Sequence, residues 1–385
     1  MIKPTTSLRA LIVRSALLCV ALLTVSFANA QEQDLEKDEI IKLGVEARFD
    51  YINQQLAGKQ LNDGTGLAVR YINLRLDGTI GKKFSYSWRQ RLNKMYSAQS
   101  FVDNMDWLHL TFKPIENLAI SAGKQVVLIG GFEYDRAPID LYFCSEFWNN
   151  VACYQYGASI GFTTNKGDDT ITAQVCQSPY NKAILNLNDE GSKLGDLFAY
   201  NLYWSGTHGC FSALYSLNFM EYQRGKFDIY LALGNQFKFG DAKIQVDFMT
   251  RGPKVKDLLG DNFSIMSEFS YMIAKRVNVF AKATYDKIGD SSIISSGLYP
   301  GTELLRVGGG VEYYPLGGRG NRDIRLHVAY GHTIGVNTNP GGTAVKNLGY
   351  LTTGLTWKID VIKSITTLID KHAEKRAKKF CSEMK

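Results

Sequence analysis

The chain has 385 residues, of which 21 are Tyr, 20 Phe and 36 Gly against only 8 Pro, and its formal net charge is +7. That charge sits at the ends: the first thirty residues carry three Lys/Arg and no acid, residues 363–385 carry seven Lys/Arg and three acids, and residues 31–362 hold 34 of each sign. With a balanced interior the whole-chain charge is no argument for nucleic acid or for anion selectivity, and no nucleic-acid partner is expected; no stretch after the N-terminus reaches the 18 apolar residues of a spanning helix.

The N-terminus reads as an export signal. Lys3, Arg9 and Arg14 precede the apolar run Ala16 to Val25, and Ala28-Asn29-Ala30 forms a small-residue cleavage site. Residues 1–30 are therefore expected to be removed after Ala30, and residues 31–40 to form an acidic periplasmic segment. Five cysteines then remain: Cys144, Cys153, Cys176, Cys210 and Cys381. Their spacing fits no metal motif, so no metal or other cofactor is expected. In an oxidising compartment Cys144 and Cys153 are the nearest pair for a disulfide.

From residue 41 a segment of about ten residues with alternating polarity recurs. In Ile41 to Tyr51, Leu43, Val45, Ala47, Phe49 and Tyr51 share one face, and Lys42, Glu46, Arg48 and Asp50 share the other. The same division appears in Phe84 to Lys94, Lys243 to Phe248, Asp323 to Gly331 and Leu351 to Asp360. About sixteen such segments fit between 41 and 361. Their connections alternate in length. Gly81 to Lys83, Pro114 to Asn117, Gly206 to Gly209, Gly240-Asp241 and Lys275-Arg276 are short, whereas 53–65, 129–150, 178–194 and 288–302 are long.

Tight turns at one end and long loops at the other describe a transmembrane antiparallel up-and-down β-barrel, all-β, with periplasmic turns and extracellular loops. The expected place is the outer membrane of a Gram-negative bacterium, with lipid as the surrounding partner. The connection Ile129 to Asn150 is the longest and is rich in Phe, Tyr, Trp and Leu. That content suits a packed loop, and a surface loop is the alternative. Residues 362–385 change period: Ile362, Ile365, Leu368, Ile369, His372 and Phe380 fall on one helix face among Lys and Arg, which predicts a basic amphipathic helical tail.

Alternation turns Arg48, Arg75, Arg89, Arg91, Arg306 and Arg325 towards the lumen. A cluster of guanidinium groups there would attract anions. Glu46, Asp50, Asp77 and Glu312 share that face, and pairing among them is the competing expectation. His109 and His327 also have inward parity. No G-x-S-x-G and no H-E-x-x-H occurs, so no enzyme activity is expected. The glycines of Val307 to Val311 read as packing room within a strand.

Residues 47–134 resemble the porin O and P family, named for phosphate-selective porins. The resemblance rests on ARFDY (Ala47 to Tyr51), on Arg70, Leu74, Gly78 and Thr79 of the second long segment, and on Gly123-Lys124 of the fifth. It implies a 16-stranded, homotrimeric channel for small hydrophilic solutes, anions among them. Lys124 joins the candidate lumen cations on the resemblance alone, since its parity is outward. The chain departs from common barrel endings in continuing past its last strand. A non-conducting barrel that binds a partner or serves as an envelope scaffold is the alternative function.

Overall fold

The computed structural model describes residues 41–93, 104–151, 153–180, 197–289, 301–317, 324–336 and 347–364. The export signal, the acidic segment 31–40 and the tail beyond 364 lie outside the described residues. Residues 361–364 are helical, and of the expected tail only 362–364 are among the described residues.

Sixteen long strands carry the fold: β1 (Ile41–Leu56), β3 (Gly66–Ile80), β4 (Phe84–Arg91), β5 (Met105–Ile115), β6 (Leu118–Val126), β7 (Tyr154–Thr163), β8 (Asp169–Gln177), β9 (Phe198–His208), β10 (Phe211–Gln223), β11 (Lys226–Phe239), β12 (Ala242–Gly252), β13 (Phe263–Ala274), β14 (Val277–Ile288), β15 (Thr302–Tyr313), β16 (Ile324–Val336) and β17 (Leu348–Asp360). A two-residue strand, β2 (Lys59–Gln60), extends the first external connection, where Lys59 pairs with Leu56. Each long strand pairs antiparallel with its neighbour in sequence, and β1 pairs with β17, from Gly44 opposite Asp360 to Leu56 opposite Leu348. The sheet is thus a closed barrel, and closure leaves no strand edge unpaired. No described helix is long and apolar enough to cross a membrane; the strands, 8 to 16 residues long, do the crossing.

The alternation read from the sequence now has an inside and an outside. Leu110, Ile160, Val246, Phe269 and Val328 are exposed on the outer wall, while Asn218, Asp247, Glu268, Thr284 and His327 are buried towards the lumen. This is the polarity of a barrel with lipid outside. One external connection departs from the expected pattern of long loops: β10 and β11 are joined by Arg224-Gly225 alone, with Gly225 at φ 75°.

The apolar core lies inside the barrel and is made by the third external connection. Residues 127–151 turn inward through α1 (Phe132–Asp135), a 3₁₀ turn (Pro138–Asp140) and α2 (Glu146–Asn149). Val127, Ile129, Tyr134 and Phe147 pack on the inward side chains of Met220, Tyr230 and Met249. The packed-loop expectation for 129–150 is what the fold contains. Close approach is built in: the Gly131 N–H donates to the Leu214 carbonyl (3.0 Å), and a Cβ at Gly234 would stand 2.6 Å from the Gly131 Cα. The Phe143 ring fills the hollow over Gly308 and Gly331, where added Cβ atoms would lie 2.9 and 3.2 Å from it. The nearest-pair disulfide is not present: Cys144, Cys153, Cys176 and Cys210 are all free thiols.

Candidate functional site

The lumen wall and the loop inside it form one charge network. On β1, Arg48 Nε donates to Asp50 (3.0 Å), and its Nη1 donates to the Ile139 and Leu141 carbonyls of the loop (3.2 and 2.6 Å). On β16, Arg325 pairs with Asp140 (3.1 Å) and Glu312 (3.3 Å) and donates to the Ile139 carbonyl. On β15, Arg306 pairs with Glu146 of α2 and donates to the Cys144 carbonyl (2.9 Å). These three arginines hold the loop in place: Arg306 and Arg325 pair with its acids Glu146 and Asp140, while Arg48 pairs with Asp50 of its own strand and grips the loop through its carbonyls.

Residues that alternation did not single out complete this seat. Lys282 on β14 pairs with Glu133 of α1 at 2.6 Å, with side chains 3 % and 0 % exposed, and donates to the Phe143 carbonyl (2.9 Å). Arg136 reaches outward from the loop to both Glu268 oxygens (2.8 Å each) and to Gln245. Lys358 on β17 pairs with Asp140 (2.7 Å). Burial alone would push the Asp140 carboxyl up, but the Arg325 and Lys358 charges outweigh it and hold it below the usual range. His327 lies 3.2 Å from Asp50, with its ring 4.7 Å from the Tyr142 ring of the loop.

The opposite wall carries the other candidates. Arg89 and Arg91 share Asp106, at 2.7 and 3.0 Å. Simple alternation sends Asp106 outward, since His109 faces in. A register shift between Arg89 and Gln90, which pair with Trp107 and Met105, leaves Asp106 as the extra residue and turns it inward. Arg75 on β3 pairs through Nε with Asp77 (2.6 Å) and keeps 44 % of its side chain exposed. Lys124 stands apart from the lumen set. It sits across from Leu108 and Tyr156, both exposed on the outer wall, and its Nζ donates to the Met105 carbonyl (2.5 Å). Register and parity agree on that placement.

At the end of the barrel that carries the short turns, a cavity of about 810 Å³ opens between the loop and strands β11 to β17. Its lining holds six cationic side chains, Arg136, Lys238, Lys243, Lys282, Arg325 and Lys358, against four acids, Asp140, Asp241, Glu268 and Glu312. Lys238 and Lys243 are directly opposed across β11 and β12, an arrangement that repels unless an anion lies between them.

A closed barrel of sixteen long strands, greasy outside and polar inside, with a connection folded into its lumen, is the architecture of a porin-type outer-membrane channel. The model of the family "Phosphate-selective porin O and P" matches residues 41–210, from β1 to the turn before β10. No curated protein sequence matches the chain. Solved structures share the fold. The anion-selective porin from Comamonas acidovorans is 14 % identical, covering 84 % of this chain and 100 % of its own, with a TM-score of 0.58. The trimer form of OmpT, an outer-membrane protein of Vibrio cholerae, is 13 % identical over 84 % of this chain and 100 % of its own, with a TM-score of 0.56. The outer-membrane channel DcaP of Acinetobacter baumannii is 12 % identical over 84 % of this chain and 97 % of its own, with a TM-score of 0.55.

Proposed function

We propose that the protein is an outer-membrane porin that lets small hydrophilic solutes diffuse passively across the envelope of a Gram-negative bacterium. The observation that carries this reading is the polar lumen of a closed barrel, narrowed by its own third external connection. In this reading residues 1–30 direct export and are cleaved after Ala30, and the mature chain assembles as a homotrimer, as in the trimer form of OmpT.

A mild preference for anions, phosphate included, follows from the charge layout. Arg48, Arg89, Arg91, Arg306 and Arg325 are engaged by carboxylates, so they contribute little net field to the pathway. The surplus of cations lies instead in the cavity at the short-turn end, where Lys238 and Lys243 face each other.

The test is single-channel conductance of the refolded mature protein in a planar bilayer across a KCl gradient. Steady conductance with a reversal potential of anion sign is expected, and Lys238→Gln with Lys243→Gln should move that potential towards zero. A second reading, a non-conducting barrel that binds a partner, draws on the apolar packing of the loop inside the lumen. Absence of conductance from folded, inserted protein would select it.

A further inference from the structure

The inner faces of β3 to β10 share one uninterrupted row of uncharged hydrogen-bonding side chains. Thr79 on β3 lies opposite Ser85, Ser85 opposite Thr111, Thr111 opposite Ser121, and Ser121 opposite Ser159. The row continues through Gln174 and Asn201 to Asn218 on β10. Barrel strands tilt, so a row that runs straight across them climbs the wall. This one starts at Thr79, beside the short turn at 81–83, and ends in the far half of β10. Its members follow one another at about 5 Å.

The two halves of the row meet different surroundings. At the upper end Gln174 Oε1 accepts from the Leu128 N–H (3.0 Å), and Asn218 Nδ2 donates to the Leu128 carbonyl (2.7 Å). The amides thus already hold an uncharged polar group, the peptide backbone of the inner loop. Among the described residues, no hydrogen bond or ion pair joins loop residues 127–151 to a residue of β3 to β7. There Ser85, Thr111, Ser121 and Ser159 are half-buried, and their hydroxyls keep spare capacity. Thr111 and Ser121 share one hydrogen bond (2.7 Å), Ser159 donates to Gln125 (2.8 Å), and the Ser85 hydroxyl has no partner among the described residues. What remains open is mostly lone pairs. The inward positions that flank Ser121 and Ser159 are Ala119, Gly123, Gly157 and Gly161, and no charged residue faces inward from β6 or β7.

We propose that the hydroxyl half of this row, from Ser85 to Ser159, is a subsite for uncharged polyhydroxylated solutes, saccharides, on the wall to which the loop makes no bond; the proposal rests on the porin reading and names a solute class for it. Lone pairs call for donors. A sugar carries a hydroxyl on most of its carbons, so it donates to successive members of the row while its oxygens accept the few hydrogens left over. An oxyanion only accepts, and it finds no cation on the inner faces of β6 and β7. A polyether also only accepts along its length, so it separates donation from polarity. The cations of the short-turn cavity lie between the loop and β11 to β17, and the two solute classes therefore use different walls.

The probe is maltotriose, with polyethylene glycol of the same mass and inorganic phosphate as controls. Binding is measured by calorimetry on folded protein in detergent, and conductance is measured in the bilayer. Wild type is expected to bind maltotriose about tenfold more tightly than the polyether, the yield of one or two net hydrogen bonds. The triple variant Thr111→Val, Ser121→Ala, Ser159→Ala should lose that preference and keep its KCl conductance. If it does not fold, Ser121→Ala and Ser159→Ala are made singly, each expected to cut the preference by about threefold. Equal affinity for maltotriose and the polyether, or a preference that survives removal of the hydroxyls, overturns the proposal. Phosphate binding that depends on these hydroxyls and exceeds that of maltotriose also overturns it. Maltotriose binding without conductance keeps the subsite and rejects the porin reading; conductance without a preference for maltotriose does the reverse.

Discussion

Replacing Lys282 with Met tests whether the inner loop is held by charge. In the wild type Lys282 and Glu133 meet at 2.6 Å with almost no solvent access, and Glu133 accepts further hydrogen bonds from the Ser145 N–H (3.0 Å) and hydroxyl. Met fills the space of the stem and removes the charge, so Glu133 is left buried with only the Ser145 donors. Breaking one side of a buried pair costs about 3–5 kcal/mol. That favours the unseated loop by roughly two to four powers of ten, at 1.36 kcal/mol for each. The readout is Cys144, which lies in the loop between Phe143 and Ser145 and whose thiol is pushed up to about 12 by burial. Maleimide labelling of Cys144 at fixed pH should accelerate by that factor, limited by the rate of the fully exposed thiol. Lys282 lowers the Cys144 pKa, so its removal alone would slow labelling; acceleration therefore reports opening. The double variant Lys282→Met, Glu133→Leu should return towards the wild-type rate, because it removes both charges. Unchanged labelling in the single variant, or no recovery in the double one, would refute the claim that this pair seats the loop.

Three more outcomes are expected. Gly308→Ala places a methyl 2.2 Å from the Tyr330 carbonyl, whereas at Gly331 the nearest atoms belong to the Phe143 ring at 3.2 Å. The first should abolish the heat-modifiable folded band on a gel, and the second should cost no more than the ~1–3 kcal/mol of an overpacked side chain. In a Cys381→Ser background, a hydrophilic maleimide should label exposed Cys210 rapidly in folded protein and half-buried Cys144 far more slowly; comparable rates would mean that the loop is not seated. The Asp140 carboxyl is held below its ordinary range, so its contribution to stability is complete above about pH 4 and is lost as the pH falls further through the depressed value. Asp140→Asn should therefore be less stable than wild type at neutral pH, with the gap narrowing in strong acid; a gap that widens on acidification would contradict the assignment.

Period-two alternation carried most of the wall into view, because a barrel between lipid and water must separate its faces residue by residue. Strand ends moved by a few residues where pairing runs past the alternating stretch, as at β1, which continues to Leu56. Inward parity for Arg48, Arg306 and Arg325 was legible, as were the wall acids Asp50 and Glu312 that pair with the first and last of them, but their loop partners were not. Those partners are backbone carbonyls and acids of a loop that lies between about 90 and 190 positions away in the chain, and alternation says nothing about where a loop folds. The bulge that turns Asp106 inward is invisible to the same rule, since one extra residue inverts parity. Some signal for the loop's fate was present: four aromatic residues within Tyr142 to Trp148 have little reason to lie in water, and Val307 to Val311 with its three glycines left a hollow of ring size.

The Pro138–Asp140 turn has a consequence for how the barrel is made. Arg48, which grips the carbonyls of this segment, belongs to the first strand; Arg325 and Lys358, which grip Asp140, belong to the last two. Those strands meet at the seam where the two ends of the sheet join. The loop thus spans the junction from inside, like a staple across the closing edges. Its anchors on the first strand and on the last come together only when that join is made. The join and this turn therefore stabilise each other, while Lys282, Arg306 and the apolar contacts on Met220, Tyr230 and Met249 hold the rest of the loop from strands away from the seam.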